Sequence, residues 1–229
     1  MDADRWGRGA LPMKRRRFAW RLLGLAGVAA LTTPRLAGAQ GGPIEGRQYV
    51  RLAQPLGVGA PAGQFEVIEF FWYGCPHCNA FEPALDGWVR QLPADVAFRR
   101  VPVAFRAEPY VAHQRLYYAI ESLGLVPALH RKVFLAIHQQ RMRLDNPAEI
   151  EAFMTRNGVD ASRFMAAYDS FGIQARLRQA NQLVDGYAID GVPAMGVHGR
   201  FYTSGARAGD NPRMLQVTDF LLERLRNKG

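Results

Sequence analysis

An α/β fold interrupted by a helical insertion is predicted by three features of this 229-residue chain. A near-continuous apolar run, FEVIEFF at 65–71, is followed by helical spacing and then by a second strand-like run, VAFRRVPV at 96–103. Residues from 108 to about 184 carry helical patterns with little strand signal, and strand patterns return only at 194–203. The apolar fraction of 48% and charged fraction of 21% exclude wholesale disorder.

Taken in order, Gln48–Leu52 reads as a short strand, and the Pro- and Gly-rich stretch 54–63 as a loop. The run at 65–71 has the β-branched and aromatic content of a strand buried on both faces. Glu69 breaks that pattern, because a buried carboxylate is costly unless it is paired or protonated. Pro76 fits the first position of a helix reaching about Gln91, where a missing N–H costs nothing. Phe81, Leu85, Trp88, Val89 and Leu92 recur at helical spacing, and Pro83 is expected to kink the helix. With 96–103 this makes a βαβ unit.

Four helices are expected in the insertion: 109–123, 126–140, one opened by Asn146-Pro147, and a long one capped by Asp160 and reaching about Val184. Ala194–His198 and Phe201–Thr203 read as a hairpin turning at His198-Gly199-Arg200. Asn211-Pro212 is expected to cap a last helix to about Asn227. The expected division is 40–106 and 185–229 for the two parts of the α/β domain, and 107–184 for the inserted helical subdomain.

Residues 1–39 read as a cleavable export signal, with a possible start at Met13. A basic cluster (Lys14, Arg15, Arg16, Arg17, Arg21) precedes a short apolar stretch at 22–31, and Ala37-Gly38-Ala39 supplies the cleavage pattern, with cleavage after Ala39. The stretch is too short to span a bilayer, which needs about 20 residues. Arg15-Arg16-Arg17-Phe18 fits the core of a twin-arginine signal, and an ordinary arginine-rich signal for the general route is the alternative. The formal net charge of +9 is concentrated here: eight Lys/Arg and two Asp/Glu lie in 1–39, leaving +3 on the other 190 residues. Nothing in that balance calls for a nucleic-acid partner.

Two cysteines, Cys75 and Cys78, are the only thiols in the sequence, set as Cys-Pro-His-Cys. Zinc needs four ligands, and there is no second pair and no partner spacing for His113, His130, His138 or His198, so no metal is expected. A structural disulfide across so short a loop would constrain the unfolded chain little. Thiol–disulfide exchange suits the pattern better. The thiolate is the reacting form. Cys75 falls at a helix start, where free N–H groups and the helix dipole favour an anion. His77 adds a donor or a positive charge, and Cys78 can donate a further hydrogen bond while being more buried and less acidic. Stabilising the Cys75 thiolate favours the dithiol over the disulfide, which makes the oxidised pair a strong oxidant.

The segments VIEFFWYGCPHCNAF and DGVPAMGVHG together resemble the DsbA-like members of the thioredoxin superfamily, over nearly all of 44–229. The resemblance implies a thioredoxin fold with an inserted helical subdomain, and a cis Val192–Pro193 bond opposite Cys75. It implies that backbone at Val192 and Pro193 pairs with an extended substrate, and that Glu69 is a buried acid and proton relay for Cys78. A carboxylate reaching solvent at the strand end is the alternative for Glu69. Trp72-Tyr73-Gly74 and Pro83 depart from the best-known pattern of that family.

The activity so implied is that of a monomeric periplasmic oxidoreductase without a cofactor. It would donate the Cys75–Cys78 disulfide to unfolded exported proteins with free thiols, and a DsbB-like inner-membrane protein would reoxidise it. A disulfide isomerase or reductase, and a non-catalytic binding module or holdase, are the alternatives.

Overall fold

The computed structural model describes residues 41–227, so the expected export signal lies outside the described residues. Strands β1 (Val50–Arg51), β2 (Phe65–Phe71), β3 (Val96–Pro102), β4 (Ala194–Val197) and β5 (Phe201–Ser204) form one sheet in the order β1-β5-β4-β2-β3. β2 pairs in parallel with β3, from Phe65 opposite Val96 to Phe71 opposite Pro102. On its other edge β2 runs antiparallel to β4, with Glu69 opposite Met195. A parallel pair needs a crossover, and helix α1 (Pro76–Val89) supplies it.

Between β3 and β4 lie α2 (Tyr110–Ser122), α3 (Val126–His138), α4 (Pro147–Arg156), α5 (Ala161–Tyr168) and α6 (Phe171–Gly186). After β5 come α7 (Gly205–Ala208) and α8 (Asn211–Arg226). Strand alternation divides β2 between two cores. Ile68 and Phe70 pack with Leu116, Ile120, Phe134 and Ile173 of the inserted helices. Val67 packs on the opposite side with Phe81 and Leu85 of α1 and with Met214 and Leu221 of α8. Glu69 shares the face of Val67, and so looks toward α1.

Several sequence expectations are corrected. The long helix expected from Asp160 to Val184 is two helices, and the insertion therefore has five. Asp169 ends α5, and the Ser170 side chain accepts the Ile173 N–H to open α6. The cap of α8 is Asp210, whose carboxylate accepts the Arg213 N–H at 2.6 Å, and Asn211 is already helical. The short helix α7 had no counterpart in the pattern, and the first strand shrinks to Val50–Arg51. α1 runs unbroken through Pro83. Proline cannot donate to the carbonyl four residues back, and Arg131 of α3 donates to that Asn79 oxygen instead, at 3.3 Å.

The hairpin turns where expected. His198 and Gly199 both take positive φ, 50° and 62°. A Cβ on Gly199 would lie 2.4 Å from the Leu56 carbonyl oxygen, so this turn requires glycine twice over.

Candidate active site

Cys75 is the N-cap of α1, with extended backbone, and Pro76 is the first helical residue. Its sulfur therefore sits where the unpaired N–H groups of the first turn converge. The Cys78 N–H donates to Cys75 Sγ at 3.3 Å. Both thiols are free. Cys75 is 7% exposed and Cys78 is fully buried.

The two thiols have opposite acidities. Cys75 is lowered to about 6, chiefly by the Cys78 thiol donating to its sulfur. Burial opposes this, and the N–H groups of Cys78 and His77 and the His77 charge assist it. Magnitudes show why several donors are needed. A helix N-terminus contributes up to about 2 kcal/mol, and each pKa unit corresponds to about 1.4 kcal/mol, so the terminus alone does not reach this value. Cys78 is pushed well up, first by burial, then by the hydrogen bond and charge of Cys75, and also by the charge of Glu69.

The Val192–Pro193 bond is cis, as is Glu108–Pro109. The Val192 carbonyl oxygen lies 3.6 Å from Cys75 Sγ, within reach of the thiol proton. Pro193 is buried and Val192 half-buried, while Pro76 and His77 are exposed. A groove of about 590 Å³ opens beside the thiols, lined by His77, Ala80, Val192, Pro193, Gly205 and Asn211 among others. The Asn211 side chain reaches the His77 carbonyl at 3.4 Å and ties α8 to the start of α1. The structure thus brings Cys75, Pro76, His77, Cys78, Val192 and Pro193 to one place.

Glu69 is fully buried. Its Oε2 accepts from Arg100 Nε at 2.9 Å. The same guanidinium reaches Glu82 Oε2 at 3.2 Å and Asp86 Oδ1 at 3.0 Å through Nη2. Glu82 is also fully buried, and its Oε1 faces His130 Nε2 at 3.2 Å. Burial, with the charge of Glu82, pushes the Glu69 carboxyl well above the usual range. Arg100, Glu82, Asp86 and His130 were not singled out from the sequence as site residues. The available signal was a second carboxylate, Glu82, on the buried stripe of α1 between Phe81 and Leu85.

Tyr73 links this cluster to the thiol loop. Its hydroxyl meets His130 Nδ1 at 2.9 Å, and its carbonyl accepts from His138 Nε2 at 2.8 Å. Gly74 has a specific reason. A Cβ there would lie 2.3 Å from the Trp72 indole, which folds over it and stacks on Tyr110 at 4.1 Å.

Comparison with known proteins agrees with this geometry. Residues 66–217 match the model of the DSBA-like thioredoxin domain. The thiol:disulfide interchange protein DsbA of Burkholderia cepacia is 41% identical over 206 residues, 90% of this chain and 94% of the relative. The protein of that name from Pseudomonas aeruginosa PAO1 is 39% identical over 181 residues, covering 79% and 85%. The crystal structure of Pseudomonas aeruginosa DsbA superposes with a TM-score of 0.78 at 38% identity, over 81% of this chain and 96% of that one. That of the Xylella fastidiosa oxidoreductase DsbA gives 0.75 at 32%, over 81% and 98%. With a central mixed sheet, an inserted helical bundle and Cys-Pro-His-Cys at the start of α1, the chain has the thioredoxin fold with a helical insertion and belongs to the DsbA-like family.

Proposed function

We propose that this thiol:disulfide oxidoreductase works as a monomeric oxidant of newly exported chains in the bacterial periplasm. The observation that carries the reading is the Cys75 sulfur at the mouth of α1, accepting from Cys78 and lowered to about 6. A sulfur so stabilised as an anion is a good leaving group and favours the dithiol.

A substrate thiolate attacks Cys75 of the oxidised pair, the Cys75–Cys78 bond breaks, and Cys78 leaves with the electron pair and takes a proton. The substrate's second thiolate then attacks the substrate sulfur of the mixed disulfide and releases Cys75 as a thiolate. The substrate loses two electrons and two protons, and the enzyme gains a dithiol. A DsbB-like inner-membrane protein with a disulfide of its own reoxidises it. In this reading Cys75 is the nucleophile-accepting thiol, Cys78 the buried partner and Glu69 its proton relay. Pro76 starts the helix, His77 tunes Cys75, and the Val192–Pro193 backbone pairs with substrate beside the groove. The same reading takes 107–184 as an inserted subdomain, and 1–39 as a signal removed on export by the general or twin-arginine route.

The test is to mix oxidised protein with a reduced, unfolded dithiol protein and follow its disulfide formation. Stoichiometric oxidation, lost in Cys75→Ala, is expected. Rearrangement of existing disulfides without net oxidation would favour an isomerase, and binding without exchange would favour a holdase; either overturns the reading.

A further inference from the structure

Two fully buried carboxyls, Glu69 and Glu82, share the single guanidinium of Arg100, which also spends a donor on Asp86 at the solvent edge. Were both buried groups ionised, the cluster would carry excess negative charge in a low-dielectric interior. One of the two holds a proton until a stronger base takes it.

The geometry distinguishes them. Glu82 Oε1 and His130 Nε2 lie 3.2 Å apart, a close contact that falls short of hydrogen-bond alignment, and neither atom has a hydrogen-bond partner among the described residues. Burial and the surrounding carboxylates hold Tyr73 far above the usual phenol range, so its hydroxyl keeps its proton. It lies 2.9 Å from His130 Nδ1, and donates to that nitrogen in the tautomer whose proton sits on Nε2, on the side of Glu82. In the other tautomer a bare Nε2 lone pair would face a carboxylate oxygen. The polar chain therefore has a direction: Tyr73 to His130, His130 to Glu82, with Arg100 donating to Glu82 and to Glu69. Glu69, by contrast, has Arg100 as its one ion-pair partner among the described residues, with no imidazole beside it.

We propose that His130 is a positioning residue that assigns the shared proton to Glu69: by donating from Nε2 it keeps Glu82 as the anion, and so leaves Glu69 as the acid that serves Cys78. This rests on the reading of Glu69 as the relay of Cys78. When a substrate thiolate breaks the Cys75–Cys78 bond, the Glu69 carboxyl gives its proton to the Cys78 thiolate and becomes a carboxylate paired with Arg100. When the reoxidising disulfide protein accepts Cys75, Cys78 returns the proton to Glu69 as it attacks Cys75.

The groups facing the pair come from every element around it: Tyr73 beyond β2, Cys78 and Asp86 of α1, Arg100 of β3, Tyr117 of α2, and His130 and Arg131 of α3. Their balance agrees with the assignment. Burial pushes Glu82 up, but the adjacent His130 and the arginines outweigh it and leave it lowered, while Glu69 stays raised. Burial lowers His130 and keeps it a neutral imidazole with one N–H.

The test uses the full chain in its oxidised form with carboxyl-labelled glutamate, following the Glu69 and Glu82 resonances by NMR against pH. In the unaltered protein Glu69 is expected protonated and Glu82 ionised at neutral pH. His130→Gln keeps a donor toward Glu82 and should preserve that order. His130→Leu removes it, and should weaken Glu82 and strengthen Glu69 as acids by about tenfold or more. Unchanged titrations in His130→Leu overturn the proposal. Should that variant fail to fold, an ionised Glu69 at neutral pH in the unaltered protein overturns it equally. Glu69→Gln separates the underlying reading: an unchanged pH profile for disulfide reduction would remove Glu69 as relay, while the carboxyl titrations still decide where His130 places the proton.

Discussion

Cys75 and Cys78 are the same functional group three residues apart, yet they occupy opposite electrostatic surroundings. Cys75 caps a helix, collects donors and lies next to a groove lined by its neighbours His77, Val192 and Pro193. Cys78 is one turn deeper, fully buried, and faces a cluster in which two carboxyls share one guanidinium. The difference shows how a two-residue spacer suffices to separate roles. One turn of helix moves a sulfur from the ring of free N–H groups to the apolar interior, so one thiol is held as an anion and its neighbour as a neutral donor to it.

The largest test of this asymmetry is to remove each sulfur in turn. Cys75→Ala is expected to abolish exchange with a dithiol substrate. Cys78→Ala should keep the single attack and accumulate mixed disulfides through Cys75, visible by non-reducing electrophoresis. Equal residual exchange in the two variants would break the comparison.

Next is the shared cation. Arg100→Met strands Glu69 and Glu82 without their guanidinium. Breaking a buried ion pair on one side costs on the order of 3–5 kcal/mol, so urea unfolding should shift strongly to lower denaturant. A loss under about 1 kcal/mol, the range of exposed pairs, would show that water reaches the cluster.

A smaller effect is the pH dependence of the reduced form. A lowered thiol contributes stability that is complete above its unfolded value of about 8.5 and is lost as pH falls through the folded value of about 6. Cys78 is raised, so its contribution has the opposite sign: it is neutral below about 8.5 and becomes a penalty above it. The stability of the reduced form relative to the oxidised one should therefore grow between pH 6 and 8.5, by at most about 1.4 kcal/mol per pH unit. Above that window it should stop growing. Calorimetry of both redox forms across the window measures this, and a flat difference would contradict the assignment of Cys75.

Smallest is the side chain of His77, which is exposed and whose charge stands last among the causes lowering Cys75. His77→Ala keeps the backbone N–H and loses only the ring. The Cys75 thiol should rise and the pair become a weaker oxidant, by about 30 mV for each tenfold change in the equilibrium. An unchanged potential would show that the backbone donors and Cys78 set the chemistry between them.

What was legible in the sequence was local. The order strand, helix, strand followed from periodicity, and the helix start at Cys75 from Pro76. The exposure of Glu69 could be read either way from its position alone, and the structure buries it. What was hidden was pairing at long range. Arg100 sits in a strand whose other charged residue, Arg99, is part-exposed at 37%, and no periodicity marks which of the two turns inward. His130 lies 48 residues from Glu82, and only the packing of α3 on α1 joins them. Asp169-Ser170 carries no capping box, because Ile173 stands where a Glu or Gln would, and apolar spacing continues through Ile173 and Leu177. The sequence offered three causes of acidity in Cys75, the helix terminus, His77 and Cys78, without ranking them, and already placed Cys78 as the more buried, less acidic thiol. Only the structure puts the Cys78 thiol first.

That ranking decides how the central claim is best measured. Replacing Cys78 would delete the strongest donor to Cys75, so the unaltered reduced protein is the right sample. Thiolate absorbance recorded against pH should show one thiolate forming near pH 6 and the second only well above the ordinary thiol range. Both thiols titrating together near the unperturbed value of about 8.5 would contradict the separation of roles at this site.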